Sequence, residues 1–357
     1  MTCARIIGAC APLMFLAFAA RPARAQRADD TSQPGQPLNT VIVHGTVEQD
    51  SSAVQAQYPP GSAQVGPLGQ QPIQSAPQSI TVIPQDLIIN QQAQTVNDTL
   101  RFLPSVQIRD QQGTEVSRPQ SRGFEGSVVQ NTRIDGLNAI GTTAMAAEDL
   151  SGVEVLNGLA GAFYGPQTPA GVFNYVLKRP TDAPLLRYDE SYDSDSVFTE
   201  HLDAGGRAGP VSARINAVRG DGQSYTPGSS VQRTMFSAAV DFHIGEDTVI
   251  QTNYSYYDTN ATGLPGSIVY FGGHSTFLPP AIDPTRMGYG QPGAGPNLRT
   301  NLGLITLEHR FNDHWSLQVG GLYESAVRNL LGITNTLTDD SGDFTVTKNF
   351  NAVPNFT

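Results

Sequence analysis

The chain has 357 residues, which is enough for two or three domains. Its formal net charge of -11 argues against a nucleic-acid-binding protein, which would carry a basic patch. The 36 glycines and 25 prolines indicate many turns, and the 12 tyrosines and 15 phenylalanines against one tryptophan favour β-structure over helices.

The first 25 residues have the organisation of a secretory signal peptide. Arg5 supplies a positive charge, residues 6–20 are apolar, and residues 23–25 (Ala-Arg-Ala) form a small-x-small cleavage site. The apolar run is short for a membrane span, and an uncleaved anchor is the alternative interpretation. Because Cys3 and Cys10 both lie in this segment, the mature chain is expected to lack disulfides and thiolate metal sites.

Residues 26–78 are predicted to form a disordered tail. They are rich in glutamine, proline, serine and glycine, so they cannot bury much apolar surface. One short β-prone run, Thr40-Val41-Ile42-Val43, interrupts this composition, and no other strand signal lies nearby to pair with it.

A small α+β domain is predicted over residues 79–180. Its first strand covers residues 79–84, and a helix from about Thr95 carries its apolar residues on one face and stops at Pro104. Three further segments with glycine turns predict short strands. These segments are residues 133–140, 150–158 and 171–180.

After Pro180 the sequence changes to strict alternation of apolar and polar residues. Residues 233–244, 248–258 and 314–324 each predict a strand of about ten residues with one apolar and one polar face. The connections alternate between short ones, such as 245–247, and long ones, such as 259–300. This alternation is typical of an outer-membrane barrel, whereas a soluble β-sandwich with hairpins is the alternative.

No pattern in the sequence predicts an enzyme. The histidines are scattered without metal-ligand spacing, and no nucleophile motif, phosphate loop or paired catalytic carboxylates are found, so no catalytic residue, metal site or cofactor is predicted. Arg118, Arg122, Arg133 and Arg179 are the main cations of the 79–180 region. Ion pairing with acids on a surrounding wall is the favoured interpretation, and attraction of an anionic ligand is the alternative.

Several motifs in this order resemble the TonB-dependent outer-membrane receptors, specifically the ferric-siderophore branch. Those motifs are residues 39–45 (NTVIVHG), 77–106, 122–124 (RGF), 134–137 (IDGL), 153–180, 263–265 (GLP) and 308–323. The resemblance implies an α+β plug domain at 79–180, followed at 181–357 by the beginning of an all-β transmembrane antiparallel barrel. Seven strands and the start of an eighth are counted, against about 22 in a plugged transporter.

The resemblance also implies site residues and partners. Residues Thr40, Val41, Ile42 and Val43 match the energy-coupling box, which would add as a strand to TonB, the inner-membrane energy transducer. Gln111, Phe124 and Glu125 are the implied ligand contacts, and Arg122, Arg133 and Arg179 the implied plug–wall contacts. The implied function is uptake of a ferric siderophore across the outer membrane, among its lipids, with the iron held by the siderophore rather than by protein ligands.

Two departures from the family pattern set further expectations. Residues 150–152 and 157–159 lack the arginines that the family usually carries there, which predicts looser docking of the plug. The incomplete barrel predicts either a fragment of a longer receptor or a truncated product that only engages TonB. A receptor of the same family that transports cobalamin, haem or an oligosaccharide instead of a ferric siderophore is a further alternative.

Overall fold

A computed structural model of the chain describes residues 61–66, 69–74, 76, 78–108, 119–141, 144–158, 161–193, 196–270, 283, 285–286, 290–338 and 342–356. The predicted signal peptide, the Thr40–Val43 segment, Gln111 and Arg118 lie outside these residues. All described residues belong to one compact unit, residues 49–357.

The described part of the chain opens with a hairpin. Strand β1 (Ser62–Gln64) pairs antiparallel with β2 (Gln70–Pro72), and the side chains of Ala63 and Val65 are completely buried. Gly66 and Gly69 close the turn with positive φ angles, which glycine adopts without a steric penalty. The prediction of a disordered tail through residue 78 is therefore wrong over this hairpin, because its few apolar side chains find a packed surface.

A five-stranded sheet forms the centre of the plug. Its strand order is β3-β9-β10-β7-β8, with β9 antiparallel to both β3 and β10, and β10 parallel to β7. The strands are β3 (Ile80–Pro84), β7 (Thr132–Ile134), β8 (Leu137–Asn138), β9 (Leu150–Leu156) and β10 (Val172–Leu177). The central strands β9 and β10 are buried along almost their whole length, so they are rich in apolar residues, and their polar residues Glu154 and Asn174 are buried as well. The predicted plug strands are confirmed.

Short helices and a second small sheet complete the plug. Helix α2 (Val96–Leu100) begins at Thr95, whose side chain forms a reciprocal capping box with Asp98, and it ends one turn before the predicted stop. Helix α1 (Gln85–Asn90) was not predicted from the sequence. The remaining elements are α3 (Gly161–Tyr164), a 3-10 helix (Ala147–Asp149), and the sheet of β4 (Val106–Gln107), β5 (Gln120–Ser121) and β6 (Phe124–Glu125). Within the described ranges, no helix is both long and apolar enough to cross a membrane.

The second half of the chain forms a single, mainly antiparallel sheet, which we call the wall. Its strands are β11 (Leu185–Asp193), β12 (Val197–Ala208), β13 (Val211–Gly222), β14 (Ser230–Ile244), β15 (Thr248–Thr262), β16 (Ser267–Tyr270), β17 (Gly295–Asn312), β18 (Trp315–Leu337) and β19 (Phe344–Phe356). Successive long strands pair as neighbours, and the short β16 runs parallel to β18. Among the described residues β11 and β19 each have one partner strand, so the wall is an open part of a barrel. The long strands reach 9 to 23 residues, and most exceed the predicted ten.

The two faces of the wall have opposite chemistry. On β14, the apolar residues Phe236, Phe242 and Ile244 point outward and are exposed, while Arg233 and Asp241 on the opposite face are buried. The buried face packs on the plug: Leu302 and Leu304 of β17 join the hydrophobic core of the plug sheet. The predicted alternation is thus present with the apolar side outside, as a strand in lipid requires.

Candidate functional site

The residues that follow β10, where the chain passes from the plug to the wall, lie in a buried ionic network. We call this segment, Lys178 and Arg179, the plug exit. Lys178 Nζ donates to Asp203 Oδ2 at 2.9 Å and to Asn216 Oδ1 at 3.1 Å. Asp203 also accepts from Arg214 Nε at 2.8 Å and Nη2 at 2.7 Å, and Arg214 Nη1 donates to the carbonyl oxygen of Arg179 at 3.0 Å. The side chains of Lys178, Asp203 and Arg214 are at most 4% exposed. Buried charges are tolerated only when they are paired, so this network fixes the plug exit to β12 and β13.

Two more ion pairs join the plug to the wall. Arg179, which was expected to face the wall, pairs with Asp241 of β14. Near the start of β14, Arg233 donates to both carboxylate oxygens of Glu148 at 2.8 and 2.7 Å and to the carbonyl oxygen of Gln94 at 3.0 Å. Sequence reasoning missed Lys178, Glu148 and Arg233; the only signal for Lys178 was its rarity, since the chain has just two lysines.

The plug–wall role predicted for Arg133 is wrong. Its guanidinium stays inside the plug, where it donates to the carbonyl oxygens of Thr132 at 2.9 Å, Gln130 at 3.1 Å and Tyr164 at 3.2 Å, and to Asn138. It also lies over the Tyr164 ring, 5.3 Å from the ring centre. Its two terminal nitrogens make four hydrogen bonds to oxygen atoms within the plug, so the group is held without a carboxylate on the wall.

The predicted role of Arg122 is likewise not seen. Arg122 occupies the exposed turn between β5 and β6 with a φ angle of 54°, and its backbone N–H donates to the carbonyl of Ser105 at 3.2 Å. Within the described residues its side chain makes no contact with the wall. Its conformation therefore serves the tight RGF turn rather than docking.

Two of the three predicted ligand contacts lie together on β6. Phe124 is 52% exposed, Glu125 is also exposed, and Val129 in the following turn is 51% exposed. The turn is held from below by Asn131, whose Oδ1 accepts from the Ser127 N–H at 2.8 Å. An exposed ring and carboxylate on a fixed turn can contact a ligand without rearrangement. Gln111 lies outside the described residues, so these three positions remain a prediction as a set.

A buried carboxylate connects the opening hairpin to the plug sheet. Glu154 Oε1 accepts from the backbone N–H of Gln64 at 2.9 Å, and Oε2 accepts from Asn174 Nδ2 at 2.8 Å. Nearby, the N–H of Gly66 donates to the Tyr164 hydroxyl at 2.9 Å. Burial raises the pKa of Glu154, and its two hydrogen bonds act in the opposite direction.

A second carboxyl group sits in the IDGL turn. Asp135 has a φ angle of 47°, and its Oδ1 accepts from the Leu177 N–H at 2.9 Å. The residue keeps some accessible surface, but its carboxyl group is enclosed, and desolvation raises its pKa to about 7. The nearby charge of Arg179 lowers that pKa, whereas those of Asp149 and Glu154 raise it further.

We expect Asp135→Asn to flatten the pH dependence of plug stability. A carboxyl whose folded pKa is raised from 3.8 to about 7 contributes stability that is full below the unfolded value and is lost as the pH rises through about 7. Asparagine keeps the acceptor for Leu177 and tolerates the positive φ angle. Urea unfolding of the plug at pH 5 and pH 8 measures the difference, with the exposed Asp182→Asn as control. An unchanged difference in Asp135→Asn would contradict the assignment.

The plug lacks wall-facing arginines around the end of β9, as the sequence indicated. Asn157 instead bonds within the plug: its Oδ1 accepts from Ser105 Oγ at 3.1 Å, and its Nδ2 donates to Thr81 Oγ1 at 3.3 Å. Looser docking stays a prediction, because the Lys178, Arg179 and Glu148 contacts engage the wall from other elements. Across the described parts of the chain, no three His, Cys, Asp or Glu side chains are grouped so that they could hold a metal ion.

Comparison with known proteins identifies this combination of plug and wall. Residues 72–172 match the TonB-dependent Receptor Plug Domain family. The fold is shared with the ferric preacinetobactin receptor BauA of Acinetobacter baumannii, with a TM-score of 0.72 and 21% identity over 82% of this chain and 44% of that one. Residues 72–172 therefore form a TonB-dependent receptor plug domain, and the chain as a whole shares the fold of such a receptor.

Proteins similar in sequence include receptors for ferric pyoverdine and ferrichrome. The chain is 27% identical over 286 residues to the ferric-pyoverdine M114 receptor PbuA of Pseudomonas sp. (strain M114), covering 74% of this chain and 33% of that receptor. It is 25% identical over 258 residues to the ferrichrome outer membrane transporter/phage receptor of Escherichia coli (strain K12), covering 69% and 34%. The chain thus spans about a third of the length of these relatives.

Proposed function

We propose that this chain is the N-terminal part of a receptor that binds a ferric siderophore at the cell surface and imports it with energy from TonB. The observation that carries the proposal is a plug domain held by ion pairs against the polar face of a barrel wall whose other face is apolar. The siderophore-receptor relatives support the class of cargo. The iron is proposed to stay within the chelate, so the protein recognises the complex rather than the metal.

The plug–wall contacts suit a plug that must move. Beside the apolar contacts of wall residues such as Leu302 and Leu304, they include charged and hydrogen-bonded groups, which recover partners from water when they separate. Residues Thr40–Val43 are proposed to pair with TonB by strand addition, which needs β-propensity and an accessible backbone. Along the chain the hairpin at 61–74 lies between that segment and the plug sheet, so a pull on the segment reaches the hairpin first.

Uptake by the complete protein tests this proposal. We expect cells that carry it as their single siderophore receptor to bind and import at least one of three radioiron chelates: ferric pyoverdine, ferrichrome or a ferric tris-catecholate. Deletion of residues 39–45 should abolish import and leave surface binding intact. Deletion of residues 49–55, an equal length of the same tail, is the control and should change neither. Failure of the complete protein to bind any of the chelates would refute the proposal.

A second cargo class has a specific observation behind it. The chain is 24% identical over 256 residues to the metal-pseudopaline receptor CntO of Pseudomonas aeruginosa, covering 71% of this chain and 35% of that receptor. A metal-loaded metallophore of that kind is therefore the second candidate. Import of zinc- or nickel-loaded chelate, with no import of the three ferric ones, would favour it.

A further inference from the structure

We propose that Arg328 is an anion-recognising residue on the inner face of the wall, where it contacts a negatively charged oxygen group of the imported chelate. The inference rests on the proposed function and adds to it the charge of the cargo and a residue that reads it. It is carried by the position of Arg328, by its lack of a partner, and by the contrast with every other cation on that face of the described wall and plug exit.

Strand pairing places Arg328 on the face that holds the plug. Arg328 lies opposite Leu298 of β17, and Leu298 belongs to a buried cluster that includes Ala144 and Ala146 of the plug. On β18, Glu324 and Arg328 share one side because side chains alternate along a strand. Glu324 Oε2 accepts from the plug's Ile140 N–H at 3.1 Å, so its side points inward. Arg328 is therefore inward and lies beyond this plug contact, away from the short turn that joins β17 to β18.

The charge of Arg328 is uncompensated within the described residues. The other inward cations each have a carboxylate: Lys178 and Arg214 share Asp203, Arg179 has Asp241, and Arg233 has Glu148. The guanidinium of Arg328 forms no ion pair or hydrogen bond there, and its Nε is buried without an acceptor. An unsatisfied, partly buried cation costs free energy, which an arriving anion would recover.

A guanidinium suits this task better than an ammonium. Its planar donors engage a carboxylate or a catecholate oxygen pair in two parallel hydrogen bonds, and its charge persists at any physiological pH. In a chain of net charge -11, an inward cation without a partner also provides a local attraction for anions within an otherwise repulsive surface. We infer that the preferred chelate is anionic and that Arg328 contributes to this preference.

Arg299 offers a matched control. It is on β17, next to the pairing partner of Arg328, but it points outward, is 52% exposed and pairs with Asp258 at 2.7 Å. Arg299→Ala removes the same type of side chain as Arg328→Ala, but from the opposite face of the wall. Any general effect of losing an arginine from the outer half of the wall should therefore appear equally in both variants.

The test is equilibrium binding by the complete protein in outer membranes, using a ferric tris-catecholate as strongly anionic probe and ferrichrome as neutral probe. We expect Arg328→Ala to weaken binding of the anionic chelate about tenfold or more, Arg328→Glu to weaken it further, and Arg328→Lys to restore part of it. Raising the salt concentration should weaken wild-type binding more than binding by Arg328→Ala. Arg299→Ala should match the wild type throughout.

Each contrary outcome has a distinct meaning. Wild-type protein that binds neither probe, nor ferric pyoverdine, would refute the proposed function and this inference with it. Binding of the anionic probe that is unchanged in Arg328→Ala would overturn only the inference. Equal losses of binding for the anionic and neutral probes would also overturn it, because they would make Arg328 a structural residue. Binding of the neutral probe alone by the wild type would overturn it too, because the preferred chelate would then not be anionic.

Discussion

We expect Asp203→Ala to reduce the free energy of plug docking on the wall by about 3–5 kcal/mol. This is the usual cost of leaving buried charges without their partner. Asp203 is the single carboxylate between two buried cations, Lys178 and Arg214. Without it both cations lose their ion pair, although Lys178 keeps the Asn216 acceptor. Among the described residues at the plug exit, Asp203 alone pairs with two charged groups, so this substitution should have the largest effect on docking.

The rate of thiol labelling in the complete protein measures this release. Both cysteines of this chain lie in the predicted signal peptide, so a cysteine introduced at Ala146, which is 1% exposed in a cluster shared by plug and wall, reports directly on separation. A loss of about 3–5 kcal/mol should raise the labelling rate by roughly two to four orders of magnitude. Any cysteine in the remainder of the complete protein is first replaced by serine.

A surface ion pair provides the control for this experiment. Asp221 and Arg219 are both more than half exposed and lie 3.5 Å apart, so Asp221→Ala should change the labelling rate by less than about fivefold. Combining Asp203→Leu with Lys178→Met removes one of the stranded cations and should recover part of the protection. Equal labelling rates in Asp203→Ala and Asp221→Ala would show that the network does not hold the plug.

The faces of the wall could be predicted from the sequence because a strand alternates with a period of two. The alternation of Phe236, Phe242 and Ile244 with polar residues is local, and the structure keeps it. The plug strands could also be predicted, since β9 and β10 are short segments rich in apolar residues and followed or preceded by glycine turns. Helix α1 was missed, because six residues with no capping side chain leave little periodic signal.

The partners of charged groups could not be predicted in the same way. A cation in a sequence indicates that it needs an acceptor, but not where the acceptor lies. Arg133 found carbonyl oxygens inside the plug, whereas Lys178 found Asp203 on the wall. The hairpin was missed for a related reason: its anchor, Glu154, follows Gln64 by 90 residues, and composition alone does not report such a contact.

Replacing Glu154 with alanine is the second large effect that we expect, and it falls on the hairpin at 61–74. The substitution leaves two donors, the part-buried Gln64 N–H and the buried Asn174 amide, without their acceptor. Each unsatisfied donor costs about 1–3 kcal/mol. Hydrogen exchange of the hairpin amides should therefore accelerate by roughly one to three orders of magnitude, while the central sheet at β9 and β10 stays protected.

The protonation of Glu154 provides an independent check on this assignment. Because its pKa is raised above the ordinary 4.5, its stabilising contribution is complete below that value and is lost as the pH rises through the raised pKa. Protection of the hairpin amides in the wild type, corrected for intrinsic exchange, should accordingly fall as the pH rises. Glu154→Gln should remove this pH dependence. The exposed Glu125→Ala is the control in the same domain, and protection lost equally in both variants would contradict a specific anchor.

The position of the hairpin in the chain makes this anchor relevant to transport. Residues 61–74 join the proposed TonB-binding segment to β3, so any tension applied to Thr40–Val43 reaches the Glu154 hydrogen bonds before it reaches the plug sheet. Those bonds are few and lie at one end of a three-pair ladder, whereas β9 and β10 pair over six residues. We therefore expect Glu154→Ala to leave chelate binding unchanged and to alter import. The substitution changes the length of unfolded chain that TonB must extend before force reaches the plug sheet.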